Sequence, residues 1–254
     1  MDGVVKSAGR VMAILEAFDA AGHGLRVSDI VERLGIPQSS ASALIKSLNR
    51  QGFLDQDPDT RTYRPSARVA MLGTWVLGSP TRSADLLNLM RRLYEETGQS
   101  VVLAIQNGVR VQYINVLESS ENVRFTVNPG TTRAMHLASV GIMLLSLKRD
   151  DEISRLLRHA NAVNEDDAQH ADLAGVMAMV ETARRQGWFL SDSLATANSG
   201  VLSVILPADA KARPIAIGLG GTSAVLGDNR DSLLETLNTA IGEYAASNPA
   251  GGSL

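Results

Sequence analysis

Ile36-Pro37-Gln38-Ser39-Ser40-Ala41-Ser42-Ala43-Leu44-Ile45-Lys46-Ser47-Leu48-Asn49-Arg50-Gln51-Gly52 is the stretch that decides how the first part of this chain folds. Ala41, Leu44, Ile45 and Leu48 recur at i, i+3, i+4 and i+7, so a helix here carries one apolar stripe for a core. The opposite side holds Ser39, Ala43, Lys46 and Arg50, with Ser42 and Ser47 flanking and Gln38 and Ser40 at the start. From Ile36 to Leu54 there is no acidic residue, although the chain has 27 Asp+Glu against 24 Lys+Arg and a net charge of -3. Small polar groups at a helix start, followed by cations, suit a helix lying in a DNA major groove. Carboxylates on that side would repel phosphates, so their exclusion is the informative signal.

Working outward, Ala8, Val11, Ile14, Leu15 and Phe18 mark an earlier helix that ends at Gly22-His23-Gly24. Val27, Ile30, Val31 and Leu34 mark a second, stopped by Gly35-Ile36-Pro37. Three short helices, the last two joined by a tight turn, make a helix-turn-helix layout. After Gly52 the pattern is extended on both sides of a Pro58-Asp59 turn, which predicts a hairpin wing. Arg61, Thr62 and Arg64 sit where that wing would meet backbone or minor groove, and Arg10 where the first helix would meet phosphate. A helix over about 66–77 follows, and Gly78-Ser79-Pro80-Thr81 breaks it at the expected domain boundary.

Beyond the break, the periodicity predicts a helix over 83–97, strands over 100–106, 109–117 and 123–127, and helices near 137–147, 151–159 and 172–186. Strands at 188–190, 201–206 and 214–219 and a last helix near 231–245 complete an α/β (α+β) domain on a mixed or largely antiparallel sheet. The 254 residues exceed the usual span of one domain. The absence of cysteine excludes disulfides, thiolate metal sites and a cysteine nucleophile. No apolar run reaches the roughly 18 residues of a membrane span, and the first residues lack the layout of an export signal, so the expected location is the cytoplasm.

Ser7-Ala8-Gly9-Arg10-Val11-Met12-Ala13-Ile14-Leu15, Leu34-Gly35-Ile36-Pro37-Gln38-Ser39-Ser40 and Gly52-Phe53-Leu54 through Tyr63-Arg64 together resemble the IclR family of bacterial transcriptional regulators. The likeness continues in Met135-His136-Leu137-Ala138-Ser139-Val140-Gly141, Gly187-Trp188 and Gly200-Val201-Leu202-Ser203-Val204-Ile205-Leu206-Pro207. It implies a winged helix-turn-helix DNA-binding domain over 1–65, a linker helix over 66–80 and a GAF-like effector-binding and oligomerisation domain over 81–254. It further implies a repressor, homodimeric or homotetrameric, on a palindromic double-stranded operator, with a small organic effector and no cofactor or metal. Gln38, Ser39, Ser40, Ser42, Ala43, Lys46, Arg50, Arg61, Thr62, Arg64 and Arg10 are then the DNA-binding candidates. Ser139, Val140, Gly141, Asp192, Ser203, Gly218 and Gly220 are the effector-binding candidates, with Val69, Leu72, Trp75 and Val76 on the pairing face of the linker helix.

Departures from the family pattern carry information too. Ala43 stands where a basic residue is common, Arg26 where a Ser or Thr often caps, and Ser203 where Cys is frequent. Gly218 and Gly220 replace hydroxyl residues, which points to room for a bulkier or more apolar effector, an aromatic or other carboxylic acid. Enzyme readings find less support. Gly218-Leu219-Gly220-Gly221 lacks the last glycine of a nucleotide-binding turn, no Gly-x-Ser-x-Gly elbow occurs, and His159 and His170 around Glu165-Asp166-Asp167 match no metal spacing. A small-molecule enzyme with an accessory helical domain is the alternative, and a sensor acting through protein partners is the third reading.

Overall fold

The computed structural model describes residues 5–73, 80–119, 127–164, 170–207 and 213–248. It divides into two compact units, Met1–Pro80 and Thr81–Leu254.

The first unit runs α1 (Lys6–Ala21), α2 (Val27–Leu34), α3 (Gln38–Arg50), β1 (Leu54–Gln56), β2 (Tyr63–Pro65) and α4 (Ala67–Gly73). Its core joins Ile14 and Phe18 of α1, Ile30 of α2, Ile45 and Leu48 of α3, and Leu25, Leu54 and Tyr63. Gly35 adopts the left-handed conformation, φ 60°, that lets α2 stop and α3 start within a few residues. Arg26 does stand at the start of α2, and the cap it cannot supply is made from the other end of the turn. Its backbone N–H donates to the Asp29 carboxylate at 2.8 Å, which holds that carboxyl below its ordinary range. The wing pairs antiparallel with Asp55 opposite Arg64, and Leu25 bridges to Tyr63 on its inner edge. The Asp57 carboxylate accepts the N–H groups of Asp59 and Thr60 at 2.9 and 3.1 Å and so fixes the turn.

The second unit runs α5 (Pro80–Thr97), β3 (Ser100–Asn107), β4 (Arg110–Leu117), β5 (Thr132–Ala134), a 3-10 turn (Met135–Leu137), α6 (Ser139–Ser146), α7 (Asp150–Val163), α8 (Leu173–Gln186), β6 (Phe189–Asp192), β7 (Ser199–Ile205), β8 (Ala216–Thr222), α9 (Ser223–Asp228) and α10 (Arg230–Ser247). The sheet order is β5-β4-β3-β8-β7-β6 and every pairing is antiparallel. Both alternations of β3, β7 and β8 are buried, as expected of a sheet covered on two faces. Val102, Val111, Tyr113 and Val201 share one core with Val140, Met143 and Leu144 of α6 and Val176 and Val180 of α8. Leu86, Leu89, Met90 and Leu93 of α5 and Leu233, Leu237 and Ile241 of α10 are also buried, and Arg92 ties these two helices by pairing with Glu243.

The structure differs from the sequence-based expectation at β5 and α9, which the periodicity does not mark, and at β8. Gly218, Gly220 and Gly221 lie inside a strand that continues to Thr222, so there is no phosphate-binding turn there. The strand expected over 123–127 falls, apart from Val127, outside the described residues, as do Trp75, Val76 and the Glu165-Asp166-Asp167 run.

Candidate nucleic-acid interface and effector cavity

Packing sorts α3 into two sides. Ala41, Ile45 and Leu48 are buried and Leu44 packs beside them. Gln38, Ser39, Ala43, Lys46 and Arg50 are exposed, and Ser40 and Ser42 are half-buried. No carboxylate pairs with Lys46 or Arg50 among the described residues. Two unneutralised cations therefore project from the far side of a helix whose near side is locked in a core. On the wing, Arg61 and Arg64 are exposed, while the half-buried Thr62 shares its hydroxyl with Thr60 at 2.8 Å. Arg10 is half-buried on α1. Ala43 offers a methyl group where a longer side chain would have reached a base edge.

The end of α3 is clamped to the start of α4. Ser66 donates its hydroxyl to the Gly52 carbonyl at 2.6 Å. Arg68 donates to the Gln51 carbonyl at 2.8 Å, with its guanidinium 4.7 Å from the centre of the Phe53 ring. A shift of α4 thus pulls directly on the C-terminal end of α3.

In the second unit, the start of α6, the middle of β4, β5 and the β6–β7 connection surround a cavity of about 30 Å³. Tyr113, Arg133, Leu137, Ala138, Ser139, Ser191, Thr196 and Val201 are among its lining residues. Ser139 donates to the Phe189 carbonyl at 2.6 Å and shares a 2.5 Å hydrogen bond with Ser203, so both hydroxyls are engaged within the protein. Arg133 pairs across the sheet with Val111, which puts its side chain on the same inward face as Tyr113. Burial pushes the Tyr113 phenol up and the nearby Arg133 charge opposes that, so the hydroxyl keeps its proton. The wall formed by Ser193–Asn198 is held with Ser193 and Asn198 at φ 55° and 59°. It is tied by the Asn198 N–H donating to the Ser193 hydroxyl at 3.1 Å.

Two family models match this chain: the IclR helix-turn-helix domain over residues 7–58 and the bacterial transcriptional regulator IclR C-terminal domain over residues 83–243. The chain belongs to the IclR family. It is 25% identical to the HTH-type transcriptional regulator XynR of Escherichia coli K12 over 204 residues, 80% of each chain. It is 24% identical to the HTH-type transcriptional repressor AllR of the same strain over 225 residues, 87% of this chain and 82% of that one. Its fold matches the crystal structure of an IclR homolog complexed with 4-hydroxybenzoate from Microbacterium hydrocarbonoxydans, with a TM-score of 0.61 and 19% identity over 94% of this chain and 97% of that one. This IclR-family protein is a DNA-binding transcriptional regulator with a helix-turn-helix domain and a C-terminal effector domain.

Of the seven effector candidates, only Ser139 lines the cavity. Val140 and Gly141 are buried in the first turn of α6, and a side chain at Gly141 would meet the Met135 carbonyl oxygen at 2.1 Å. Ser203 stands behind Ser139. Gly218 leaves no open room: a Cβ there would lie 2.6 Å from Val201 and 3.1 Å from the Leu202 carbonyl oxygen across the β7–β8 pairing. Gly220 is buried in the same strand. Asp192 is exposed; the neighbouring Ser223 and Ser193 hydroxyls hold its carboxyl below the usual range, Ser193 donating to it at 2.8 Å. Among the lining residues that the sequence did not single out, Arg133 carries the one charge and Tyr113 the one phenol. The signal available for Arg133 was a lone cation in Gly130-Thr131-Thr132-Arg133-Ala134, immediately before the apolar run of the resemblance.

Proposed function

We propose that this regulator represses transcription by seating α3 in the major groove of a palindromic operator as a homodimer or homotetramer. A small organic acid in the α6 cavity shifts its DNA affinity. The observation that carries the reading is the α3 face itself, where exposed Gln38, Ser39, Lys46 and Arg50 surround Ala43 and no carboxylate among the described residues pairs with the cations. Ser40 and Ser42 at its edge and Arg61, Thr62, Arg64 and Arg10 around it supply backbone contacts. Repression agrees with AllR being a transcriptional repressor, and an acidic effector with the 4-hydroxybenzoate held by the Microbacterium homologue.

Self-association is supported by α4, where Met71 and Leu72 are 70% and 57% exposed and continue a groove lined by Leu15, Phe18, Val69 and Ala70. The effector works by coupling: it must bind one arrangement of the DNA-reading units better than another. The seat is the space between Ser139 and Arg133, with Val140, Gly141, Ser203, Gly218 and Gly220 shaping it from behind and Asp192 at its margin. An aromatic acid enters only when this space widens, since about 30 Å³ holds roughly one or two waters. The protein acts in the cytoplasm, as a regulator rather than an enzyme and with no cofactor. No described helix is long and apolar enough to cross a membrane.

A gel shift on the DNA upstream of its own gene tests the reading. Affinity is expected to fall steeply with salt, by about 0.9 in log–log slope for each phosphate neutralised. Indifference to salt, or turnover of a bound acid, would sink it.

A further inference from the structure

Arg133 is half-buried, and its Nε is the part of the guanidinium that is enclosed. A guanidinium has five N–H donors and no acceptor, and such groups go inside only when acceptors meet them. Here β5 turns the side chain onto the inward face of the sheet opposite Val111, and Nε is enclosed with no hydrogen-bond partner. Among the described residues no carboxylate pairs with it and none lines the cavity it borders. A structural arginine would be held by a carbonyl or a carboxylate, as Arg184 is by the Ser146 carbonyl and Asp150.

The other groups facing the cavity share the same polarity. Tyr113 presents a protonated hydroxyl. Ser139 opens α6, whose first hydrogen bond back runs from the Ile142 N–H to the Ala138 carbonyl, so the N–H groups of the first turn are free to donate. Cation, phenol and helix start are donors converging on one space. The Ser139 and Ser203 hydroxyls are spent on each other and on Phe189, so they are not the recognition elements.

We propose that Arg133 is the residue of this chain that selects the effector, its guanidinium pairing with the carboxylate of the small organic acid with help from Tyr113 and the α6 start. This rests on the reading above that the effector occupies this cavity, and adds what selects it. The carboxylate brings the acceptors the guanidinium lacks, and in an enclosed site such a charge-assisted pair is stronger than any neutral hydrogen bond. A neutral amide of the same shape brings one acceptor and no charge. Arg133 is therefore a specificity-determining residue, and its Nε, which has no partner among the described residues, is a donor that the effector carboxylate can meet.

The test is calorimetric titration of the full chain with pyruvate, benzoate and 4-hydroxybenzoate, each beside its own amide. At least one acid is expected to bind, and its amide to bind about 10- to 100-fold more weakly. In Arg133→Met the acid is expected to lose affinity by a similar factor and the discrimination to vanish, while Arg133→Lys restores part of both. The acid–amide pair on the unaltered chain needs no variant and stands where a variant does not fold. Equal binding of acid and amide, or full discrimination in Arg133→Met, overturns the proposal. If an acid binds and changes the gel shift with no dependence on Arg133, the cavity reading survives and this one falls. If no acid binds and none changes the gel shift, both fall.

Discussion

Lys46 and Arg50 on α3 and Arg133 on β5 are cations with no carboxylate partner among the described residues, placed in opposite settings. The first two stand exposed on the outer side of a helix whose inner side is packed; the third is turned inward beside a small cavity. In the DNA-reading unit, function sits on top of the fold, so the residues that read can change without disturbing those that pack. In the effector unit, function sits within the fold, and the residues around the cavity are also core. Ser139, Val140, Gly141, Ser203 and Gly218 are all buried, and each serves packing or internal hydrogen bonding. Surface sites evolve by charge; buried sites evolve by volume and by leaving a donor unpaired.

That contrast is most exposed to failure at Gly141. A Cβ there would sit 2.1 Å from the Met135 carbonyl oxygen, so backbone must move. Overpacking of this kind costs about 3 kcal/mol, partly offset by about 1 kcal/mol of helix propensity. Gly141→Ala is therefore expected to destabilise by about 2 kcal/mol, or roughly 4–8 °C in melting temperature. Ser39→Ala on α3, by contrast, should leave melting unchanged. An unaltered melting curve for Gly141→Ala would show that the cavity wall is not core.

Next in size is the complementary change on the reading face. Lys46→Ala with Arg50→Ala should lower operator affinity about 100-fold in dilute salt and flatten the salt dependence by about one unit of slope for each lost contact. Melting should stay within about 0.5 kcal/mol of the parent, because both side chains are exposed. Unaltered DNA binding would mean that another surface meets the duplex.

How far such positions could be read beforehand follows from the same difference. The α3 face was legible because a helix of period 3.6 converts sequence spacing directly into sides, and because acids are missing from one stretch. The main strands and the helices at 150–163 and 173–186 were legible for similar reasons. Arg133 was not, since β5 is only three residues long and its inward direction is set by pairing with Val111, far away along the chain. Gly218 was ambiguous in principle: a missing side chain is either room for a ligand or room for a neighbour. The answer lay in Val201 on the next strand. Arg184, in the last turn of α8, spans the α6–α7 connection, reaching the carbonyls of Ser146 and Lys148 and the carboxylate of Asp150, a role its sequence neighbours do not mark.

Arg184 therefore separates cations that hold from cations that bind. Arg184→Ala removes three charge-assisted hydrogen bonds from a side chain that is 32% exposed, so solvent recovers part of the loss. A destabilisation of about 1–2 kcal/mol is expected in chemical denaturation, with operator affinity unaltered in the folded protein. A loss of DNA binding without loss of stability would place Arg184 in the regulatory machinery instead.

The smallest effect, and the finest division between packing and function, is at the wing tip. Arg61 is exposed and holds a left-handed backbone, φ 57°, a conformation that glycine adopts without penalty and arginine does not. Its N–H closes the turn by donating to the Asp57 carbonyl at 2.9 Å, so the conformation is imposed by the hairpin rather than chosen by the side chain. A residue kept under such strain is kept for its side chain. Arg61→Gly is accordingly expected to stabilise the chain by about 0.5–1 kcal/mol in denaturant titration and to weaken DNA binding severalfold. Stability and affinity moving in opposite directions at one position is the signature of a surface cation retained at the expense of the fold. If both rise together, Arg61 points away from the duplex, and the wing contributes through Arg64 alone.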